Sequence, residues 1–259
     1  MTDSDFHGVR TGDGALRLAV LIDADNAQAA VIEPLLAEIA RFGEATVKRI
    51  YGDFTAPTSA SWKKVLQTFA IKPIQQFAYT TGKNATDSAL IIDAMDLLYT
   101  RRFDGFCLIS SDSDFTGLAL RIREAGLTVL GFGERKTPEP FRNACHKFFF
   151  VEVLREQLGL KKGSTKTGTG KVKAAAPKTP PLPTEFLLDA LDQTADETGW
   201  ANLGHFGSYV NKRQSDFDAR NYGFRKLSDL VRAATDLFVV EERGRPDTNQ
   251  KDLWVRAKG

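Results

Sequence analysis

The stretch FCLISSDSDF, residues 106–115, joins an apolar run to two aspartates, Asp112 and Asp114. The run has no alternating polar positions, which is typical of a strand covered on both faces in a parallel sheet. Charged groups gain nothing from burial in an apolar strand. The stretch therefore predicts an α/β fold and indicates a function for the acids at the strand end.

Short apolar runs alternate with helical patterns on both sides of this stretch. Strands are predicted at residues 16–22, 45–51, 71–79, 106–110, 127–132 and 148–153. Helices are predicted at residues 29–42, 59–70, 86–102 and 115–126. Pro73 weakens the third strand or places it at an edge. Strands separated by such helices form right-handed crossovers, so we expect a mostly parallel sheet with helices on both faces.

Acids follow two of the predicted strands. Strand one is followed by DADN (23–26), and strand four is followed by Asp112 and Asp114. In a doubly wound sheet the site lies at the carboxyl edge, where the strand order reverses. If strands one and four are neighbours there, Asp23 and Asp112 face each other. Two carboxylates about 4 Å apart repel each other by about 4 kcal/mol at an effective dielectric of 20, so we expect a positive group between them.

A third acid is predicted to reach the same edge from the helix after strand three. Thr86 is a candidate cap for this helix, which leaves Asp87 in its first turn. Asp93 lies 120° short of two full turns from Asp87, and Asp96 lies half a turn away. The three acids of the helix therefore cannot all face one point, and Asp87 is the candidate.

Carboxylates without nearby cysteine or histidine ligands favour Mg²⁺ or Mn²⁺. A cation of this kind polarises a phosphodiester and orients water. The convergence of Asp23, Asp87 and Asp112 on one edge therefore predicts metal binding. The alternative for any single acid is a helix cap, which would explain Asp25 or Asp114 alone.

The composition is that of an ordinary globular protein, with 42% hydrophobic and 26% charged residues. No apolar run approaches the roughly 18 residues of a membrane span, and the N-terminal residues lack the apolar core of a secretory signal. Cys107 and Cys145 have no metal-ligand spacing, which fits a reducing cytoplasm. The histidines are scattered, and GFG (131–133) lacks the GxGxxG spacing. Zinc and nucleotide-cofactor binding are therefore unsupported.

A lysine-rich segment, residues 161–183, divides the chain. It contains one valine and one leucine, too little apolar surface to offset the entropy of ordering. We interpret it as a flexible linker, with a polybasic tether for nucleic acid as the alternative. The predicted divisions are an N-terminal tail (1–15), a larger domain (16–158), a basic linker (159–183) and a smaller domain (184–259).

Three motifs resemble the NYN domain, a group of PIN-like nucleases that includes the LabA-like bacterial proteins. They are LIDADN at strand one, GKNATDSALIID in the middle and SSDSDF after strand four. The resemblance covers about residues 16–154 and implies a Rossmann-like, PIN-type α/β/α sandwich. It also implies metal-dependent cleavage of RNA that leaves a 5′-phosphate. The implied metal ligands are Asp23, Asp87, Asp112 and Asp114, with Asn26 as an auxiliary polar group.

Two further positions bear on this resemblance. Asp93 also matches a family position, but its helical phase favours a supporting role. Ser111 stands where the family commonly has glycine. Serine occupies most turn conformations, so we expect a shifted loop that retains its ligands.

Residues 184–259 resemble the OST-HTH or LOTUS domain, a winged helix. LSDLVRAA (227–234) is amphipathic, and LFVVEE (237–242) with DLWVR (252–256) predicts a hairpin. The resemblance implies association with RNA. The domain has more acidic than basic residues, so a solvated surface or a protein contact is an equal alternative. The candidate basic patch comprises Arg220, Arg225, Lys226, Arg243 and Arg245.

The sequence thus predicts a cytoplasmic ribonuclease that uses Mg²⁺ or Mn²⁺, joined to an RNA-associating module. One alternative is a catalytically inactive adaptor that binds RNA or protein. Another is a phosphatase of the haloacid dehalogenase type with Asp23 as nucleophile, although Ala27 stands where that class has Thr or Val. RNA specificity, endonuclease or exonuclease action and oligomeric state stay open.

Overall fold

The computed structural model describes residues 15–55, 60–77, 85–157, 180–244 and 251–258. The chain divides into two compact units, residues 2–161 and 162–259. Nearly all of the predicted linker lies outside the described residues, which resume at residue 180. Within the described residues, no helix combines the length and apolar character needed to cross a bilayer.

The first unit is built on a six-stranded sheet in which every neighbouring pair is parallel. Its strands are β1 (Leu16–Asp23), β2 (Gly43–Gly52), β3 (Lys72–Gln75), β4 (Gly105–Ile109), β5 (Thr128–Gly133) and β6 (Lys147–Phe150). The order β3-β2-β1-β4-β5-β6 confirms that β1 and β4 are neighbours. It also places β3, which contains Pro73, at an edge, as predicted.

Helices cover both faces of this sheet. They are α1 (Ile32–Ile39), α2 (Ala60–Thr68), α3 (Ala85–Tyr99), α4 (Thr116–Glu124), α5 (Glu139–Ala144) and α6 (Val151–Gln157). Phe106 and Leu108 of β4 lie in a core cluster with residues of α3, α4 and α5. Cys107 and Ile109 lie in a second cluster with residues of α1, α2 and α6. Because each face is covered, the strand is apolar at every position, and the predicted α/β sandwich is confirmed.

Several predicted boundaries were wrong. The sixth strand ends at Phe150, and residues 151–153 begin α6 instead. Helix α5 was not predicted, because its six residues are too few to show a helical repeat. Helix α3 begins at Ala85, so Thr86 lies inside it and is not its cap. Residues 78 and 79 of the predicted third strand lie outside the described residues.

The GFG segment at the end of β5 has a packing explanation. A Cβ atom added at Gly131 would lie 2.5 Å from the Phe148 ring and 2.6 Å from Cys145 Sγ. One added at Gly133 would lie 2.6 Å from the Ser110 carbonyl oxygen. The glycines therefore permit close approach of neighbouring elements.

The second unit combines helices with a three-stranded antiparallel sheet. Its elements are α7 (Thr184–Asp192), β7 (Trp200–Asn202), α8 (Leu203–Arg213), α9 (Leu227–Ala233), β8 (Phe238–Gly244) and β9 (Lys251–Ala257). The sheet order is β7-β9-β8. Strands β8 and β9 confirm the predicted hairpin. Strand β7 was not predicted, because three residues are too few to show an alternating pattern.

Candidate metal centre

Asp23 ends β1 and is fully buried. Its Oδ1 accepts a hydrogen bond from the backbone N–H of Asp25 at 2.9 Å. Its Oδ2 accepts from Asn26 Nδ2 at 2.8 Å and from Ser110 Oγ at 2.7 Å. Burial raises the pKa of Asp23, although these three hydrogen bonds favour its charged form. Asp23 therefore organises the loop after β1 and joins it to the end of β4.

Ser110 continues this connection to the loop after β4. Its Oγ donates to Asp23 and accepts from the backbone N–H of Asp112 at 3.0 Å. Asp112 Oδ1 in turn accepts from the backbone N–H of Asp114 at 2.9 Å, which caps a 3-10 turn at Ser113–Phe115. The helix cap that the sequence suggested for Asp114 is thus made by Asp112.

Ser111, which stands in place of the family's glycine, has a structural partner. Its Oγ accepts from the backbone N–H of Glu134 at 2.9 Å. The hydroxyl therefore links the loop after β4 to the loop after β5.

Three predicted acids converge at this edge. Each of Asp87, Asp112 and Asp114 offers a carboxylate oxygen, and these oxygens lie within 4.8 Å of one another. Asp87 stands in the first turn of α3, as predicted. Asp87 and Asp112 are half-buried and Asp114 is exposed, so solvent reaches the cluster. We call these three residues the acidic cluster.

The acidic cluster is electrostatically strained. Burial and the negative charges of Asp23, Asp112 and Asp114 raise the pKa of Asp87 to about 6. A divalent cation would relieve this repulsion, and carboxylate oxygens are the ligands that Mg²⁺ and Mn²⁺ prefer. The residues present therefore fit such a cation.

Two other predicted site residues lie beside the acidic cluster rather than in it. Asp23 is near enough to influence Asp87, but each of its oxygens already accepts a hydrogen bond. Asn26 uses its amide nitrogen to hold Asp23. Direct metal ligation by Asp23 and contact of Asn26 with water or phosphate stay predictions.

Asp93 occupies a different environment from Asp87. Its carboxylate accepts hydrogen bonds from Tyr51 Oη and from Arg49 Nη1. Burial and the charge of Asp93 raise the pKa of the Tyr51 hydroxyl. Asp93 thus joins α3 to β2, in agreement with the supporting role inferred from its helical phase.

Sequence reasoning missed the role of Ser110. The available signal was a small polar residue between a buried strand and two acids. A small polar residue at that position is equally typical of a strand that simply ends there. Its bonds to Asp23 and Asp112 depend on the adjacency of β1 and β4.

Comparison with family models decides the classification. The model of the NYN domain matches residues 17–152, which is more than half of the chain. The chain belongs to the NYN domain family. Its NYN domain contains Asp23, Asn26 and the whole acidic cluster. The model of the OST-HTH/LOTUS domain matches residues 178–250.

Two solved structures resemble parts of the chain. One is the solution NMR structure of an uncharacterised protein from Nitrosomonas europaea, with 55% identity over 36% of this chain and 90% of that chain, and a TM-score of 0.30. The other is the crystal structure of a protein of unknown function from Vibrio parahaemolyticus, with 18% identity over 54% of this chain and 94% of that chain, and a TM-score of 0.46. No significant match was found among curated proteins.

Replacing Ser110 by alanine tests how the edge is positioned. We expect Ser110→Ala to weaken Mn²⁺ binding at the acidic cluster about tenfold, because Asp112 loses its anchor while every carboxylate remains. The electron paramagnetic resonance signal of free Mn²⁺ provides the measurement. Ser113→Ala, in the same loop but exposed, is the control and should bind Mn²⁺ as wild type does. Wild-type Mn²⁺ affinity in Ser110→Ala would show that the anchor has no importance for the acidic cluster.

Proposed function

We propose that the NYN domain is a ribonuclease that uses Mg²⁺ or Mn²⁺ to hydrolyse RNA phosphodiester bonds. The observation that carries this proposal is the convergence of Asp87, Asp112 and Asp114 at the carboxyl edge of the sheet. The family resemblance supplies RNA as the substrate and a 5′-phosphate as the product end.

In this proposal Asp87 and Asp112 hold the cation directly, and Asp114 holds it or one of its water ligands. When bound, the cation supplies a water of lowered pKa and offsets negative charge on the scissile phosphate. Asp23 and Ser110 fix the position of Asp112 through their hydrogen bonds. Direct ligation by Asp23 would use a lone pair that its three hydrogen bonds leave free. Asn26 would orient water or phosphate beside it.

Manganese binding is the direct test of the acidic cluster. The electron paramagnetic resonance signal of free Mn²⁺ should fall when wild-type protein is added, and Asp112→Asn should bind at least tenfold more weakly. The exposed Asp96, on the outer surface of α3, provides the matched control Asp96→Asn, which should bind as wild type does. Equal Mn²⁺ affinity in Asp112→Asn and wild type would contradict the assignment.

Asp87 also makes stability depend on pH. Its folded pKa of about 6 exceeds the unfolded value of 3.8, so its contribution to stability is complete below about pH 4 and is lost as pH rises through 6. After allowance for solvent screening, we expect Asp87→Asn to raise the free energy of unfolding of the metal-free protein at pH 7.5 by about 1 kcal/mol. This corresponds to a rise in Tm of roughly 2–4 °C.

Thermal unfolding in EDTA between pH 4.5 and 8 measures this effect. The Tm advantage of Asp87→Asn should shrink as pH falls through 6 towards 4.5, whereas Asp96→Asn should show no such trend. A lower Tm for Asp87→Asn across the whole range would mean that Asp87 stabilises the fold instead.

The structure bears on the alternative that this domain is a phosphatase. A phosphatase nucleophile must reach its substrate, but the Asp23 side chain has no exposed surface and accepts three hydrogen bonds. Formation of an acid-stable aspartyl phosphate on Asp23 would nevertheless favour the phosphatase.

The other alternative is an inactive adaptor. An inactive adaptor would bind RNA or protein, would show no cleavage of varied RNAs, and would leave the Mn²⁺ signal unchanged.

We propose RNA association for the OST-HTH/LOTUS domain, but the predicted basic patch is incomplete. Arg220 is mostly buried and pairs with Asp218 at 2.6 Å. Arg225 and Lys226 are exposed, and Arg245 lies outside the described residues. Arg243 is held between two tryptophan rings. Within the described residues, Arg225, Lys226 and the partly exposed Arg243 therefore remain the candidates for contact with RNA.

A further inference from the structure

The outer face of the C-terminal sheet carries two tryptophans that do not belong to the core. In β9, Val255 is fully buried, while Trp254 and Arg256 on either side of it point to the opposite face. Trp200 of β7 pairs with Arg256 across the sheet. As far as the structure describes this unit, its hydrophobic core includes neither tryptophan. Large aromatic side chains outside a core are frequent at binding surfaces.

These tryptophans alternate with arginines. The Arg243 guanidinium carbon lies 4.7 Å from the ring centre of Trp200 and 4.6 Å from that of Trp254. The Arg256 guanidinium carbon lies 4.9 Å from the ring centre of Trp200. The order is thus Trp254, Arg243, Trp200, Arg256. We call this set the Trp–Arg ladder.

A structured turn holds Trp200, an inner member of the Trp–Arg ladder, in place. Asp196 Oδ1 accepts hydrogen bonds from the backbone N–H groups of Thr198 and Trp200, at 2.9 and 3.1 Å. Gly199 between them has a φ of 78°, which favours glycine. The position of Trp200 is therefore set before any ligand binds, and such preorganisation lowers the entropy cost of binding.

The charges of the ladder are not fully neutralised within it. Glu241 accepts two hydrogen bonds from Arg243, and Asp252 lies opposite Arg243 in the strand register. Arg256 is exposed, and no carboxylate in the described part of the chain pairs with it. A stacked guanidinium keeps its N–H donors in its plane, where they remain available to an anion.

We propose that the Trp–Arg ladder binds single-stranded RNA, with a base stacked on the face of Trp254 that Arg243 does not cover and phosphates contacted by Arg256 and Arg243. An aromatic face beside guanidinium donors matches a base and its neighbouring phosphates in a single strand. A duplex hides its base faces, so only unpaired nucleotides fit this surface. The inference rests on the proposed function in one respect, the choice of RNA as the nucleic acid.

The test uses the full chain carrying Asp112→Asn, in EDTA, with a fluorescein-labelled 12-nucleotide oligouridine. Fluorescence anisotropy should show that Trp254→Ala weakens binding about tenfold, since one stacked base is lost. Trp254→Phe, which keeps an aromatic face, should stay within about threefold of the parent. Arg256→Ala should reduce the slope of log affinity against log salt by about 0.7, the value for one phosphate contact to a single strand.

Arg213 provides a matched control within the same domain. Its guanidinium is also stacked on two rings, Phe186 and Tyr209, and paired with a carboxylate, Asp189, but it lies outside the ladder. Arg213→Ala should bind oligouridine within about twofold of the parent, whereas Arg243→Ala should bind at least fivefold more weakly. An oligouridine duplexed with oligoadenosine should bind more weakly than the single strand.

Three results would overturn the proposal. They are undetectable binding by the parent, equal binding by parent and Trp254→Ala, and preference for the duplex. The parent and Trp254→Ala could bind RNA equally while sedimentation shows that the parent self-associates and Trp254→Ala does not. In that case the ladder would be a contact with a second copy of this chain. Because cleavage is disabled throughout, failure of the ribonuclease proposal would appear separately, as lack of cleavage by the chain with intact acids.

Discussion

Asp112→Asn should lower RNA cleavage at least about a thousandfold while the fold and RNA binding persist. The amide keeps an oxygen that can accept the Asp114 N–H, so the cap of the 3-10 turn survives. The variant loses the negative charge that the cation requires. A loss of about 4 kcal/mol of transition-state stabilisation corresponds to this factor. Initial rates with Mn²⁺ and a labelled RNA pool provide the measurement.

Two controls define this result. RNA affinity measured in EDTA should differ less than about threefold between Asp112→Asn and wild type. Asp96→Asn should cleave at the wild-type rate, because that side chain is exposed and lies outside the acidic cluster. Persistent metal-dependent cleavage by purified Asp112→Asn would refute its role as a ligand.

Asp93→Ala should have the largest effect on stability among the acids of α3. Removing this carboxylate leaves Arg49 and Tyr51 without their shared acceptor. The side chains of Arg49 and Asp93 are 24% and 22% exposed, so the expected loss is about 2–3 kcal/mol, less than for a fully buried pair. Urea unfolding at pH 7.5 in EDTA measures the free energy of unfolding.

The same variant separates a structural acid from a metal ligand. Mn²⁺ affinity of folded Asp93→Ala, measured well below its unfolding midpoint, should remain within about threefold of wild type. Asp87→Asn should behave in the opposite way, with greater stability in EDTA and much weaker Mn²⁺ binding. A stable Asp93→Ala that fails to bind Mn²⁺ would show that Asp93 is a ligand.

The central part of the fold was predictable because its strands are buried on both faces. Alternate residues of FCLI enter different core clusters, so the run admits no polar position and is recognisable in the sequence. A doubly wound order allows β1 and β4 to be neighbours, and the sheet shows that they are. Short elements such as α5 and β7 were missed because their boundaries depend on tertiary contacts rather than on a repeating pattern.

The candidate site was predictable to the level of the sheet edge and no further. Helical phase distinguished Asp87 from Asp93, and the structure places only Asp87 in the acidic cluster. Which strand-end acid accepts which hydrogen bond could not be predicted, because that depends on the turns after β1 and β4. The burial of Asp23, the anchor made by Ser110 and the cap made by Asp112 all belong to this finer level.

The central claim is that the acidic cluster makes this protein a metal-dependent ribonuclease. Its most direct test is incubation of the purified 259-residue chain with a mixed RNA pool, in Mn²⁺ or in EDTA, followed by analysis of the product ends. We predict cleavage only with Mn²⁺, with 5′-phosphate ends, and none by Asp112→Asn. Cleavage that continues in EDTA, or intact RNA after prolonged incubation with Mn²⁺ and with Mg²⁺, would contradict the claim.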